Sequence, residues 1–329
     1  MSFPYYTGNP INHRSEPIQI EPPDRDKQTD PAGYRPEKGL IDAVNVALVL
    51  GQPLLVTGEP GTGKTQLATH VAWELGFGKP LKFETKSTNI ARDLFYSYDT
   101  LGRFHAAQTK EGSQDSLDYI TYNALGIAIL RSVPEHEVSK WLPKGFKHDG
   151  PRKSVVLIDE IDKAPRDFPN DLLNEVESMF FRVPELGNEP IRASKDMRPF
   201  LIITSNSEKH LPDAFLRRCV YYHIPFPDKK QLTDIILKRV DHFKSADDPL
   251  LADALSFFSR LREPNTGLRK APATAELLGW LISLTAHGLK PNQTLHANSD
   301  VAKSTLNALV KSSEDQVIAD KVLTDWLTQ

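Results

Sequence analysis

Gly58-Glu59-Pro60-Gly61-Thr62-Gly63-Lys64-Thr65 follows an apolar run, Pro53-Leu54-Leu55-Val56, and precedes a helix-like segment from Gln66 to Leu75 that stops at Gly76. This is the phosphate-loop pattern G-x-x-x-x-G-K-[ST], in the strand-to-helix setting that it needs. Glycines let the backbone curl so that several N–H groups point inward, at the positive end of the helix that follows. An anion fits such a cradle. Lys64 is then placed to reach the outer phosphates of a nucleoside triphosphate, and the Thr65 hydroxyl to ligate a magnesium ion shared with them. Gly58, Glu59, Pro60, Gly61, Thr62, Gly63, Lys64 and Thr65, with Gln66 at the start of the helix, are the candidate nucleotide-contacting residues.

The second signal is Val155-Val156-Leu157-Ile158-Asp159-Glu160-Ile161-Asp162. Four consecutive apolar residues suit a strand buried on both faces of a parallel sheet, and two acids emerge at its C-terminal end. Open α/β sheets place their ligands at that edge. Asp159 is the candidate magnesium holder, through water, and Glu160 the candidate general base that polarises an attacking water. A third buried run, Pro199-Phe200-Leu201-Ile202-Ile203-Thr204-Ser205-Asn206, ends in polar residues. Asn206 there either orients the lytic water or senses a γ-phosphate, or simply closes a strand-end turn.

Working outward, Gly39 to Gly51 carries Leu40, Ala43, Val44, Ala47 and Leu48 at helical spacing. It reads as a core helix, with the stretch from Tyr34 to Gly39 also able to border a purine base. Pro80 to Thr85 reads as a strand. Asp93 to His105 reads as two aromatic-rich arms around a turn at Asp99 to Gly102, either a plain hairpin or one that grips a partner. Tyr119 to Leu130 reads as helical. Asp167 to Phe181 has helical spacing at Phe168, Leu172, Val176 and Met179, and Arg182 to Arg192, with its Pro and Gly-Asn punctuation, reads as a second hairpin-like insertion. Arg217 and Arg218 close a short helix before the strand Val220 to Ile224. They are either a solvated pair or a source of one side chain that reaches an adjacent subunit's site.

The ends of the chain differ from its middle. Residues 1–37 hold seven prolines and few apolar side chains, too few to offset the ordering entropy, so an extended arm is expected. From Asp228, a helix-capping residue, several helical repeats follow: Leu232, Ile235, Ile236 and Val240; Leu250 to Leu261; Thr274 to Leu284; and Val317 to Leu327.

Composition bounds the rest. At 329 residues, 39% hydrophobic and 25% charged, the chain has room for one large or two small globular domains. A net charge of −3 gives no global basic field for nucleic acid. The lone Cys219 excludes an internal disulfide, and the ten histidines show neither H-E-x-x-H nor a Cys/His cluster. There is no signal-peptide pattern and no apolar run of the ~18 residues a membrane span needs, so a cytoplasmic location is expected.

The order of phosphate loop, intervening strand, LIDEID, ITSN and LRRC resembles the AAA+ ATPases and, within them, the MoxR-like branch, over roughly residues 38–329. The resemblance implies a P-loop α/β core of three layers on a five-stranded parallel sheet (38–227), then an all-α lid (228–329). Two hairpin inserts, near 93–107 and 181–198, match places where that branch carries them. It implies ATP and Mg2+ as ligands, Lys64 and Thr65 in Walker A roles, Asp159 and Glu160 in Walker B and Asn206 as sensor one. Arg218 is the first candidate for an arginine finger and Arg217 the second. It also implies a homo-oligomeric ring, usually hexameric, that hydrolyses ATP to remodel or activate a client protein, often one with a von Willebrand factor A domain. Where the family commonly has a sensor-two arginine, this chain has Thr274 or Ala275, with Arg269 and Lys270 just upstream. Two alternatives stay open: a DNA-associated motor or loader in a restriction or defence system, and a nucleotide-gated scaffold with little turnover. The absence of an N-K-x-D guanine reader agrees with adenine as the base.

Overall fold

The computed structural model describes residues 5, 6, 16, 30–109, 113, 115–207 and 211–328. The expected arm over 1–37 therefore lies largely outside the described residues. The described chain divides into two compact units, residues 34–59 with 63–225, and residues 226–328 with 30–33 and 60–62.

The first unit carries β1 (Leu54–Gly58), β2 (Leu81–Glu84), β3 (Tyr96–Tyr98), β4 (Ile120–Tyr122), β5 (Val155–Asp159), β6 (Phe180–Arg182), β7 (Pro190–Arg192), β8 (Phe200–Ser205) and β9 (Val220–Ile224). Five of these form one parallel sheet in the order β2-β5-β8-β1-β9. Every residue of β1, β5 and β8 is buried. Alternation explains why both faces are apolar. Val155, Leu157, Leu54, Val56, Phe200 and Ile202 pack on one side, against α1 (Lys38–Leu50) and α2 (Lys64–Glu74). On the other side Val156, Ile158, Leu55, Leu201 and Ile203 meet Phe83, Phe168 and the helix that follows β4. Helices on both faces make the core three-layered. The loop after β1 and the ends of β5 and β8 share the C-terminal edge, which gathers the candidate residues.

The stretch 93–107 does not fold back on itself as a hairpin. Tyr96–Tyr98 pairs antiparallel with Ile120–Tyr122, and α3 (Thr100–Thr109) occupies the expected second arm. The cause is Asp99: its carboxylate accepts from the Gly102 amide at 2.9 Å and its carbonyl from the Arg103 amide at 3.0 Å, so it starts a helix where a turn was expected. Residues 119–130 likewise are not one helix, since β4 precedes α4 (Ala124–Leu130). Phe95 stacks on Phe181 and Tyr122 meets the same ring edge-on, contacts that support the strand register. Asp167 to Phe181 is two helical turns, Phe168–Asp171 and Leu173–Ser178, ended by Met179 in the left-handed region. Phe180–Arg182 then pairs antiparallel with Pro190–Arg192.

The second unit is helical: α5 (Lys229–Arg239), α6 (Pro249–Leu261), α7 (Thr274–Ala286), α8 (Ser299–Thr305) and α9 (Ser313–Leu327). Asp228 caps α5 by accepting from Gln231 N at 2.8 Å, with the Gln231 side chain answering the Asp228 amide at 2.9 Å. The core joins Leu232 and Ile236 of α5, Phe257 and Phe258 of α6, Trp280 of α7 and Leu323 of α9. Trp280 is fully buried, and its indole N–H finds Thr305 Oγ1 at 2.9 Å. No helix among the described residues is long and apolar enough to cross a membrane.

Candidate nucleotide site

The site grows from the turn between β1 and α2. Gly61 and Gly63 sit at φ of +80° and +88°, a conformation that residues with a Cβ rarely adopt. A Cβ on Gly63 would also come within 3.0 Å of the Tyr34 ring. That ring lies 5.3 Å from the imidazole of His70 in the second turn of α2.

Lys64 is buried, and its ammonium donates to the Gly58 carbonyl at 2.7 Å, the Glu59 carbonyl at 2.9 Å and Asn206 Oδ1 at 3.1 Å. Burial holds its pKa below the ordinary lysine value, against the pull of Asp162, Asp159, Glu160 and Glu59. Thr65 Oγ1 donates to Asp159 at 3.0 Å. Walker A and Walker B candidates thus meet directly.

Two polar residues outside the candidate set hold its members in place, Thr204 the two acids and Asp162 the Asn206 amide. Thr204, two residues before Asn206 on β8, donates to Asp159 Oδ1 at 2.7 Å and accepts from the Glu160 amide at 2.9 Å. Asp162 accepts from the Asn206 amide at 3.2 Å and from its side-chain nitrogen at 3.3 Å. The available signal was position: each lies within a motif already singled out. Lys82, on β2, is 3.0 Å from Asp159 Oδ2, and no motif pointed to it. Burial would push the Asp159 carboxyl upward, but hydrogen bonds from Thr204 and Lys82 and the Lys82 charge outweigh it, so the pKa falls below the usual value.

Glu160 follows Asp159 in a left-handed conformation, φ +56°. A non-glycine residue held there is the kind of local strain that collects at functional sites. Its carboxylate is ion-paired with Lys163, a cation that catalysis by Glu160 would have to release. Thr65 and Asp159 offer hard oxygen donors of the kind Mg2+ accepts beside phosphate oxygens. Among the described residues there is no cluster of three or more His, Cys, Asp or Glu side chains that would serve a metal unaided. This donor set fits a magnesium ion carried in with a triphosphate.

The two arginine candidates lie apart from this cluster in role. Both are exposed at the end of the helical turn Asp213–Leu216. Arg218 donates to Glu177 Oε2 at 3.1 Å and to the Ala214 carbonyl at 3.0 Å, whereas Arg217 makes no ion pair among the described residues. In the helical unit, Arg269 is turned toward Glu314 at 3.5 Å.

A parallel sheet with a glycine loop, a buried lysine and a threonine-supported acid at its C-terminal edge defines a P-loop nucleotide-binding protein. The model of the ATPase family associated with various cellular activities (AAA) matches residues 54–227, more than half of the chain. The chain belongs to the AAA ATPase family. Among solved structures it is similar to a proline-to-glycine variant of RuvB from Thermotoga maritima, with a TM-score of 0.46 and 18% identity over 85% of this chain and 70% of that one. A second similar structure concerns katanin self-assembly, with a TM-score of 0.40 and 14% identity over 91% and 90% of the two chains. No curated protein matches the chain significantly.

Proposed function

We propose that this chain is a Mg2+-dependent ATPase of the MoxR-like branch that remodels or activates a client protein as a homo-oligomeric ring, hexameric as is usual for that branch. The observation that carries the reading is the convergence of Lys64, Thr65, Asp159, Glu160 and Asn206 at one sheet edge. In this reading residues Gly58 to Gln66 cradle the phosphates, Lys64 moves from the loop carbonyls to the outer phosphates, and Tyr34 borders the adenine. Asp159 and Thr65 hold the magnesium ion, which when bound neutralises charge on the phosphate oxygens. Glu160, released from Lys163, takes a proton from the attacking water, and Asn206 positions that water. An arginine from a neighbouring subunit completes the site. Arg217, which has no ion pair among the described residues, is available for that task, while Arg218 must first leave Glu177.

The client-facing surface in this reading is α3, where Leu101 and Phe104 are 81% and 60% exposed. A domain of the von Willebrand factor A type is the partner class that the branch resemblance favours, in the cytoplasm. A second reading, contact with nucleic acid, draws on one observation: Arg192 and Arg182 both lie over Phe180 on the β6–β7 hairpin, 4.8 Å and 6.0 Å from the ring centre. Strongly salt-dependent DNA binding that is lost in an Arg182→Ala, Arg192→Ala double variant would favour it.

The deciding experiment is ATP hydrolysis per subunit over a range of protein concentrations. Turnover that rises with concentration, and needs Mg2+, supports a ring whose sites are completed by neighbours. ATP binding with no turnover at any concentration overturns it in favour of a nucleotide-gated scaffold.

A further inference from the structure

Asp159 is 8% exposed, and each of its oxygens is already served. Oδ1 accepts from Thr65 and Thr204, and Oδ2 faces Lys82 at 3.0 Å, with Thr65 more distant at 3.3 Å. A buried carboxylate needs a compensating charge. Lys64 is not the nearest supplier, because its ammonium is spent on two loop carbonyls and Asn206. Lys82 is. It lies on the sheet-edge strand β2, one pleat before Glu84, whose Cα is in register with that of Asp159. Residues two apart on a strand share a face, so the Lys82 ammonium also reaches Glu84 Oε1, at 2.7 Å. Glu84 is largely exposed, with 69% of its side chain open to solvent. The ammonium therefore has two seats, one on a buried acid and one on a solvated acid.

The acid at the buried seat is the one that fits a divalent cation. An ammonium and a divalent cation sharing one carboxylate oxygen repel each other strongly at such distances. We propose that Lys82 is the resident counter-ion of Asp159, which the magnesium ion displaces, and that Glu84 receives the displaced ammonium at the edge of the sheet. The inference rests on the ATPase reading above. It makes Lys82 a positioning residue: without the cation it balances the Asp159 charge and keeps the carboxylate directed at Thr65, and it sets the magnesium concentration at which loading occurs.

The two seats give opposite consequences, which a merely structural role does not. Lys82→Met keeps the aliphatic stem and removes the competitor, so the Mg2+ midpoint for binding a fluorescent ATP analogue falls by about tenfold. Glu84→Gln removes the second seat and holds Lys82 on Asp159, so the midpoint rises by about threefold. In EDTA without nucleotide, Lys82→Met melts at a lower temperature than the wild type. Midpoints within twofold of the wild type in both variants, or shifts of the same sign, overturn the inference while leaving the ATPase reading intact. If Lys82→Met does not fold, the Glu84→Gln midpoint decides alone. Wild-type protein that binds no nucleotide at any Mg2+ concentration overturns the ATPase reading and this inference with it.

Discussion

Thr204 donates to Asp159 across the β5–β8 strand pair at 2.7 Å and accepts the Glu160 amide at 2.9 Å, so one hydroxyl orients both acids. Thr204 is fully buried, and a valine there would keep the volume while leaving the Glu160 amide and an Asp159 lone pair unmatched. Thr204→Val is expected to cost about 2 kcal/mol of stability. It should also slow ATP turnover by roughly tenfold, with ATP affinity changed far less. Paired denaturant unfolding and steady-state kinetics check both parts. Unchanged turnover would mean that the acids hold their geometry without Thr204.

Glu160→Gln tests the general base. The amide keeps the size of the side chain but cannot take a proton, so hydrolysis is expected to fall by about 10²- to 10⁴-fold while nucleotide still binds. Rapid filtration of labelled ATP, beside phosphate release, separates the two. Loss of binding along with turnover would assign Glu160 a structural role through its unusual backbone conformation and its Lys163 pair.

Much of this site was legible because its residues sit in motifs with fixed spacing. Gly58 to Thr65 and Asp159-Glu160 announce both their chemistry and their place at strand ends, and the β5 run of four apolar residues announces a doubly covered strand. The partners of those residues were harder to see. Thr204 and Asp162 act across strands, and which side chains face one another depends on sheet order, which local sequence does not encode. Lys82 is harder still, since an edge strand's alternation marks it as an ordinary solvated lysine. The 93–107 segment failed for a different reason. Asp99 suits a turn and a helix cap equally well, and only the pairing of Tyr96 with Tyr122, from a distant strand, selects the cap.

Arg217 and Arg218 separate by their partners. Arg217→Ala is expected to lower turnover by about 10³-fold if it is the finger, with little change in ATP binding or in folding. Arg218→Ala loses an exposed pair with Glu177 worth well under about 1 kcal/mol, so its stability should stay near that of the wild type. Mixing each variant with Glu160→Gln subunits provides the check. Activity regained in mixed assemblies places the arginine and Glu160 in sites built from different subunits; activity regained in neither mixture argues against a shared site.

Asp315, 2% exposed, anchors the start of α9 to the segment before α7. Its carboxylate accepts from the Arg269 amide at 2.8 Å and the Lys270 amide at 3.4 Å. The Arg269 amide is the main influence that holds its pKa below the usual aspartate value, with Ser312 and the Lys270 amide adding to it against burial. A carboxyl depressed on folding contributes stability that is complete above its unfolded pKa, about 3.9, and is lost as pH falls through the lower folded value. Asp315→Ala should therefore lower the melting temperature at pH 7, through two unpaired backbone amides, by the equivalent of about 2 kcal/mol. The gap between variant and wild type should hold steady from pH 8 to about pH 5 and narrow below about pH 4. Calorimetry of the two proteins across that range gives the answer. A gap that stays constant down to the lowest pH at which both fold would show that Asp315 acts by packing and not as a carboxylate acceptor.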